Sequence, residues 1–228
     1  MATRHVLAEL NDAAAAAGHP RMQIESVGGV DAARRVAAGE PFELVFLALD
    51  ALQRLAADGH VAPGSVTPLM LSQVAVAVPS GTEAPAQHTG GFAFADADGM
   101  RAALRAATRI GYSTGPSGVT LVKMIEEWGL GDELGARLVQ AQPGVPVARS
   151  LAQGDVDLGF QQLSELVGQP GIEILGVLPP DCAIDTVFAG AVAASATDAA
   201  AARGVLRYLA SAEAEPVVAA HSFAAPGS

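Results

Sequence analysis

Short apolar runs alternate with amphipathic stretches of helical period along most of this chain, and that alternation limits the fold more than any other feature. Phe42–Ala48 is an almost continuous apolar run, as expected of a strand covered on both faces. A helix carrying Leu49, Leu52 and Leu55 follows and stops at Gly59, and Val74–Val78 reads as a second buried strand. Farther on, helix Met100–Ala107, strand Arg109–Ser113, helix Ser117–Trp128 and strand Arg137–Ala141 succeed one another. Helix Val147–Gln153, strand Val156–Phe160, a short helix at Gln162–Val167 and strand Ile172–Gly176 continue the series. Repeated β-α-β units predict an α/β protein with mainly parallel sheets and helices on both faces. Pro79–Gly99 breaks the pattern with Gly, Pro, Thr, Ala and Asp, and reads as a crossing between two lobes. The long strand-like run Ile184–Ala194 carries the chain back, and helices near Thr197–Ala210 and Glu213–Ala220 close it.

The first residues read as an amphipathic helix with Val6, Leu7 and Leu10 on one side, extended by Ala13–Ala17 and ended by Gly18 and Pro20. The first strand then falls at Arg21–Ser26, and Gly28-Gly29 turns into a helix from about Asp31 to Ala38. Glu9 and Asp12 stand where a secretory leader needs its apolar run, so the reading is a cytoplasmic chain if Met1 is the true start, or an upstream piece outside this sequence. No apolar stretch approaches the roughly 20 residues of a membrane span, so direct membrane insertion is not expected. With 24 acidic and 13 basic side chains the net charge is −11, and no basic cluster offers a nucleic-acid surface. The single cysteine, Cys182, has no neighbouring histidine or cation and reads as a structural thiol. His5, His19, His60, His88 and His221 lack metal-ligand spacing, and there is neither a P-loop nor G-x-G-x-x-G. No metal and no cofactor are expected.

Ligands of open parallel sheets lie beyond the carboxyl ends of strands, at helix N-termini. Three strand-to-helix turns therefore carry the candidates. In Ile110–Gly118, Ser113, Thr114 and Ser117 offer hydroxyls, Gly115 and Gly118 let a ligand approach the backbone, and Pro116 suits a first helical turn. Exposed N–H groups there carry about half a positive charge and hold an anion without arginine. An ordinary capped helix start uses the same residues. In Ser26–Asp31, Gly28 and Gly29 allow close backbone approach, and Asp31 suits a helix start. In Asp157–Glu165, the amides of Gln161 and Gln162 sit where a strand ends and both donate and accept. At the chain start, Thr3 and Arg4 open the first helix, and the guanidinium suits a carboxylate.

The ordered set Glu25–Ala33, Gly39–Phe42, Gly111–Gly118 and Gly154–Gln162, with the closing Tyr208–Ala214, resembles bacterial extracellular solute-binding proteins of the molybdate-binding-protein-like branch, which includes aconitate isomerase. The resemblance implies a two-lobed type 2 periplasmic-binding fold with two interlobe crossings. Lobe one is 1–79 plus 190–228, lacking its usual first strand, and lobe two is 80–189. It further implies a small anion gripped in the interlobe cleft, a periplasmic or extracellular location, and an ABC transporter membrane component as partner. Gln161-Gln162 departs from the Val-Tyr type of sequence in molybdate binders and points to a di- or tricarboxylate. The alternative is an isomerase of an unsaturated tricarboxylate on the same scaffold, with Tyr112, Asp31 and Glu165 as the available bases.

Overall fold

The computed structural model describes residues 3–82, 91–142 and 145–226. In chain order the elements are α1 (Arg4–Ala16), α2 (Gly29–Ala37), β1 (Leu44–Ala48), α3 (Leu49–Ala57), β2 (Thr67–Pro79), α4 (Ala97–Ala106), β3 (Ile110–Tyr112), α5 (Pro116–Glu127) and α6 (Gly131–Leu134). They continue with β4 (Leu138–Gln140), α7 (Val147–Ala152), β5 (Leu158–Gln162), α8 (Leu163–Leu166), β6 (Ile172–Val177), β7 (Asp185–Val192), α9 (Ala199–Leu209) and α10 (Glu215–Ala220). The α/β alternation is therefore present, with one exception. Arg21–Ser26, expected as the first strand, lies in no sheet ladder. The backbone groups of Met22 are met instead by a side chain: Asn11 Nδ2 donates to the Met22 carbonyl at 2.9 Å and Asn11 Oδ1 accepts the Met22 N–H at 2.7 Å. Much of the predicted crossing at Pro79–Gly99 falls at residues 83–90, outside the described residues.

The chain divides into two compact units, Met1–Ser72 with Thr186–Ser228, and Gln73–Asp185. In the first, β1 pairs antiparallel with β7, from Leu44 opposite Val192 to Ala48 opposite Phe188. Val45 and Leu47 point to a core with Val36, Leu52 and Leu55. On the other side of the strand, Leu44 and Phe46 meet α1 and α9 through Leu7, Leu10, Val205 and Leu209. Glu43 fixes α9: its carboxylate accepts from the Thr197 N–H and hydroxyl (3.0 and 2.6 Å) and from the Asp198 N–H (3.1 Å). The Thr197 hydroxyl and these helix-start amides hold the Glu43 carboxyl below the usual range.

In the second unit the pairing is mixed. β3 runs parallel to both β4 and β5, while β2 meets β5 and β6 antiparallel. The parallel pairing expected from the β-α-β alternation is thus confined to β3, β4 and β5, because the long β2 enters from the other direction. Its larger core gathers Met100, Leu104, Ile110, Leu121, Ile125 and Phe160, with buried Cys182 beside them. On the opposite face, α7 lies directly on the strands. Gly111 and Gly159 are register partners, and a Cβ on either would stand 2.7–3.0 Å from Val147, Leu151 or Val156 side chains. Two glycines side by side thus open the seat for α7. Trp128, at the end of α5, packs at the margin of the larger core with the Arg101 guanidinium 4.9 Å above its ring.

Candidate functional site

The register of the parallel strands brings several candidate residues together in the second unit. Tyr112 stands opposite Phe160 on β5 and Gln140 on β4, so Ser113–Gly115 and Gln161–Gln162 leave neighbouring strands at the same edge. That is the carboxyl edge, where α5 and α8 begin.

The β3–α5 turn is held by its own atoms. Ser113 Oγ and Ser117 Oγ lie 3.1 Å apart, so one hydroxyl proton is shared and the other remains to be given. Ser117 is buried at the second position of α5, while Thr114 is exposed. Gly115 is the N-cap in extended conformation, and its carbonyl accepts from Gly118 and Val119 at 3.0 and 3.3 Å. Among the described residues, no acceptor meets the N–H groups of Thr114, Gly115 or Ser117. A Cβ on Gly115 would meet nothing within 4 Å, so the backbone there is open to a ligand. Gly118 differs: a Cβ would stand 1.9 Å from the Ser113 carbonyl oxygen. That glycine is required by the fold of the turn itself.

The two glutamines also part company. Gln161 is buried, its Oε1 accepting the Val147 N–H at 2.8 Å and its Nε2 donating to Glu165 Oε2 at 2.7 Å. With both ends engaged, it ties the start of α7 to α8. Gln162 makes no such bond among the described residues, and its Oε1 is buried without a partner. Ser164 Oγ, two residues on, is likewise buried and unpartnered. A buried polar atom left unpaired costs about 1–3 kcal/mol, and both atoms carry that cost here. Sequence reasoning missed Ser164, because a serine inside a short helix carries no signal until its burial is seen. The pair at Thr108–Arg109 and Asp157 braces the opposite end of the same strands. Burial pushes the Asp157 carboxyl up, but bonds from the Arg109 and Thr108 N–H groups, both 2.8 Å, outweigh it and hold the group below its ordinary range.

The remaining candidates belong to the first unit. Thr3 is the N-cap of α1 without a side-chain bond, and Gly28 is the extended N-cap of α2. A Cβ on Gly29 would make ordinary contact with Leu47 at 3.7 Å. Arg4 is exposed and meets no partner among the described residues. Thr3, Arg4 and Gly29 line a cavity of about 840 Å3 beside β1. Asp31 is paired to Arg34 at 3.2 Å on the surface of α2. Arg35, which the sequence did not single out, bonds Glu25 and Glu40 at 2.7 Å each and lies 5.0 Å from the Phe42 ring. These carboxylates push its pKa up, and its guanidinium in turn lowers that of Glu25. Among the described residues no cluster of His, Cys, Asp or Glu is arranged to hold a metal, and no helix is long and apolar enough to cross a membrane.

Known proteins resemble this arrangement in sequence and in fold. The profile of the bacterial extracellular solute-binding protein family matches residues 1–224. An aconitate isomerase from Pseudomonas sp is 34% identical over 184 residues, spanning 81% of this chain and 68% of that protein. Among solved structures, a substrate-binding domain from Clostridium difficile superposes with a TM-score of 0.79 at 13% identity, covering 97% of this chain and 94% of that one. The periplasmic molybdate-binding protein of Azotobacter vinelandii gives 0.71 at 21% identity, covering 98% and 96%.

Proposed function

Because this chain belongs to the family of bacterial extracellular solute-binding proteins, we propose that it captures a small anion, a di- or tricarboxylate, at the carboxyl edge of β3 and β5. The observation that carries this reading is the set of uncommitted polar groups there: the Ser113–Ser117 hydroxyl pair, the free amides at the start of α5, and the unpartnered Gln162 and Ser164. None of them is charged. Affinity then comes from a helix terminus and neutral donors, each charge-assisted bond contributing about 1.5–3 kcal/mol. A planar carboxylate presents two oxygens side by side, which suits an amide and a hydroxyl better than a tetrahedral oxyanion does. The Gln162 amide, turned by half a rotation, offers N–H where its oxygen now points. A membrane component of an ABC transporter is the partner this reading implies.

Calorimetric titration with citrate, cis-aconitate, trans-aconitate, molybdate and sulfate tests it. Micromolar binding of a tricarboxylate, weakened about tenfold by Ser117→Ala through loss of one such bond, is the expected result. Molybdate binding tighter than any carboxylate, or no binding at millimolar ligand, would overturn it.

A second reading, isomerisation of an unsaturated tricarboxylate, is favoured by the 34% identity to aconitate isomerase. It requires a base to take a proton from the carbon beside one carboxylate and return it to another carbon as the double bond moves. Glu165 and Tyr112 are the titratable groups at the same edge, and Glu165 is already oriented by Gln161. Nuclear magnetic resonance of trans-aconitate incubated with the protein in deuterated water decides this point. Appearance of cis-aconitate carrying solvent deuterium supports catalysis, and unchanged substrate leaves binding alone.

A further inference from the structure

Gln161 and Glu165 form a bonded pair whose polarity is fixed from within the protein. A glutamine amide can be turned end for end, but the Val147 N–H at the start of α7 only donates. The Gln161 atom 2.8 Å from it must therefore be the oxygen. That choice directs Nε2 at Glu165, and Nε2 is a donor too. Glu165 Oε2, 2.7 Å away, is the acceptor, a role that a carboxylate fills with both of its oxygens. With Gln161 buried and engaged at each end, no second arrangement of its amide keeps both bonds.

The other oxygen of Glu165 is not used in this way. Among the described residues no bond engages Oε1, and no arginine or lysine pairs with the carboxylate. Glu165 is half-buried within α8, the short helix that follows β5 directly at the carboxyl edge. The parallel register, with Tyr112 opposite Phe160, sets Ser113 beside Gln161 at about the 4.8 Å spacing of neighbouring strands. Two kinds of group thus meet at one edge. The β3–α5 side presents donors: the Thr114, Gly115 and Ser117 N–H groups and a hydroxyl proton of the Ser113–Ser117 pair. The β5–α8 side presents an unneutralised carboxylate, and Gln162, whose amide no hydrogen bond fixes among the described residues. A ligand carboxylate is favoured on the first side and repelled beside Glu165, where a hydroxyl or another neutral donor fits.

We propose that Glu165, oriented by Gln161, selects among carboxylate ligands for one that carries a hydroxyl. In such a hydroxy-polycarboxylate the hydroxyl donates to Glu165 Oε1 while carboxylate oxygens take the start of α5. The inference rests on the anion-capture reading above and adds to it a preference set by one acceptor. Calorimetric titration with citrate and with tricarballylate, which is citrate with hydrogen in place of the hydroxyl, tests it at pH 8. The wild-type protein should bind citrate about tenfold more tightly, the worth of one charge-assisted hydrogen bond. Glu165→Gln should bring that ratio to one or below, because Gln161 Nε2 still demands an oxygen and the new amide turns its NH2 toward the ligand. Gln161→Leu releases the Glu165 carboxylate and should shrink the same ratio, whereas loss of a merely structural brace would weaken both ligands equally. Equal wild-type affinities for the two compounds, or a citrate preference that survives Glu165→Gln, would overturn the proposal and leave anion capture standing. Absence of binding by both at millimolar concentration would remove the anion-capture reading, and this inference with it.

Discussion

Single side chains make the sharpest predictions. Burial, and then the neighbouring Asp181 carboxylate, push the Cys182 thiol up to about 11. The thiolate is the reactive form, so folded protein at pH 8 leaves Ellman's reagent unconsumed while denatured protein consumes one equivalent. Rapid labelling of the native state would contradict the buried placement. Asp157 predicts in the pH direction. Its carboxyl is held below its unfolded value, so the bonds to Thr108 and Arg109 stabilise fully above about pH 4 and are lost as pH falls through the lower native value. Asp157→Asn removes that dependence and costs about 1–2 kcal/mol at neutral pH. Urea titrations at pH 7 and pH 3 measure both. Gly118→Ala forces a methyl to within 1.9 Å of the Ser113 carbonyl, so the turn must shift. Tricarboxylate affinity should fall with it by at least tenfold in calorimetry, whereas Thr120→Ala, on the exposed side of the same helix, leaves affinity unchanged.

Between elements, the seat of α7 is the place where sequence and packing constrain each other most tightly. Gly159→Ala inserts a methyl 2.7 Å from Leu151 and 2.8 Å from Val147, and overpacking of that kind costs about 1–3 kcal/mol. Circular dichroism melts read this as a lowered midpoint, and the companion Leu151→Ala in the same chain should recover part of it. Most elements were legible beforehand because their period was clear. α5 repeats Leu121, Ile125 and Trp128 on one face, and β1 is apolar throughout. Arg21–Ser26 misled, since strand composition is half of a strand and a paired neighbour is the other half. The candidate site was legible in its hydroxyls and glycines. Roles within it were not: Gln161 and Gln162 are identical letters, and only burial and partners separate the brace from the free amide.

At the scale of the molecule, each unit has its own hydrophobic clusters: Leu10, Leu52, Val205 and their neighbours in the first, Met100, Ile125, Phe160 and theirs in the second. A net charge of −11 on a chain this size repels itself. Screening shortens to about 8 Å at physiological salt, so raising salt from low millimolar to that level should lift the melting midpoint by a few degrees. A midpoint that falls with salt would instead credit the surface ion pairs, such as Arg54–Asp50 and Lys123–Glu127, with more than their exposure allows. The chain has one tryptophan, and Trp128 belongs to the Gln73–Asp185 unit, pressed beneath a guanidinium. Indole emission consequently originates in that half, while the other half contributes only tyrosine and phenylalanine fluorescence.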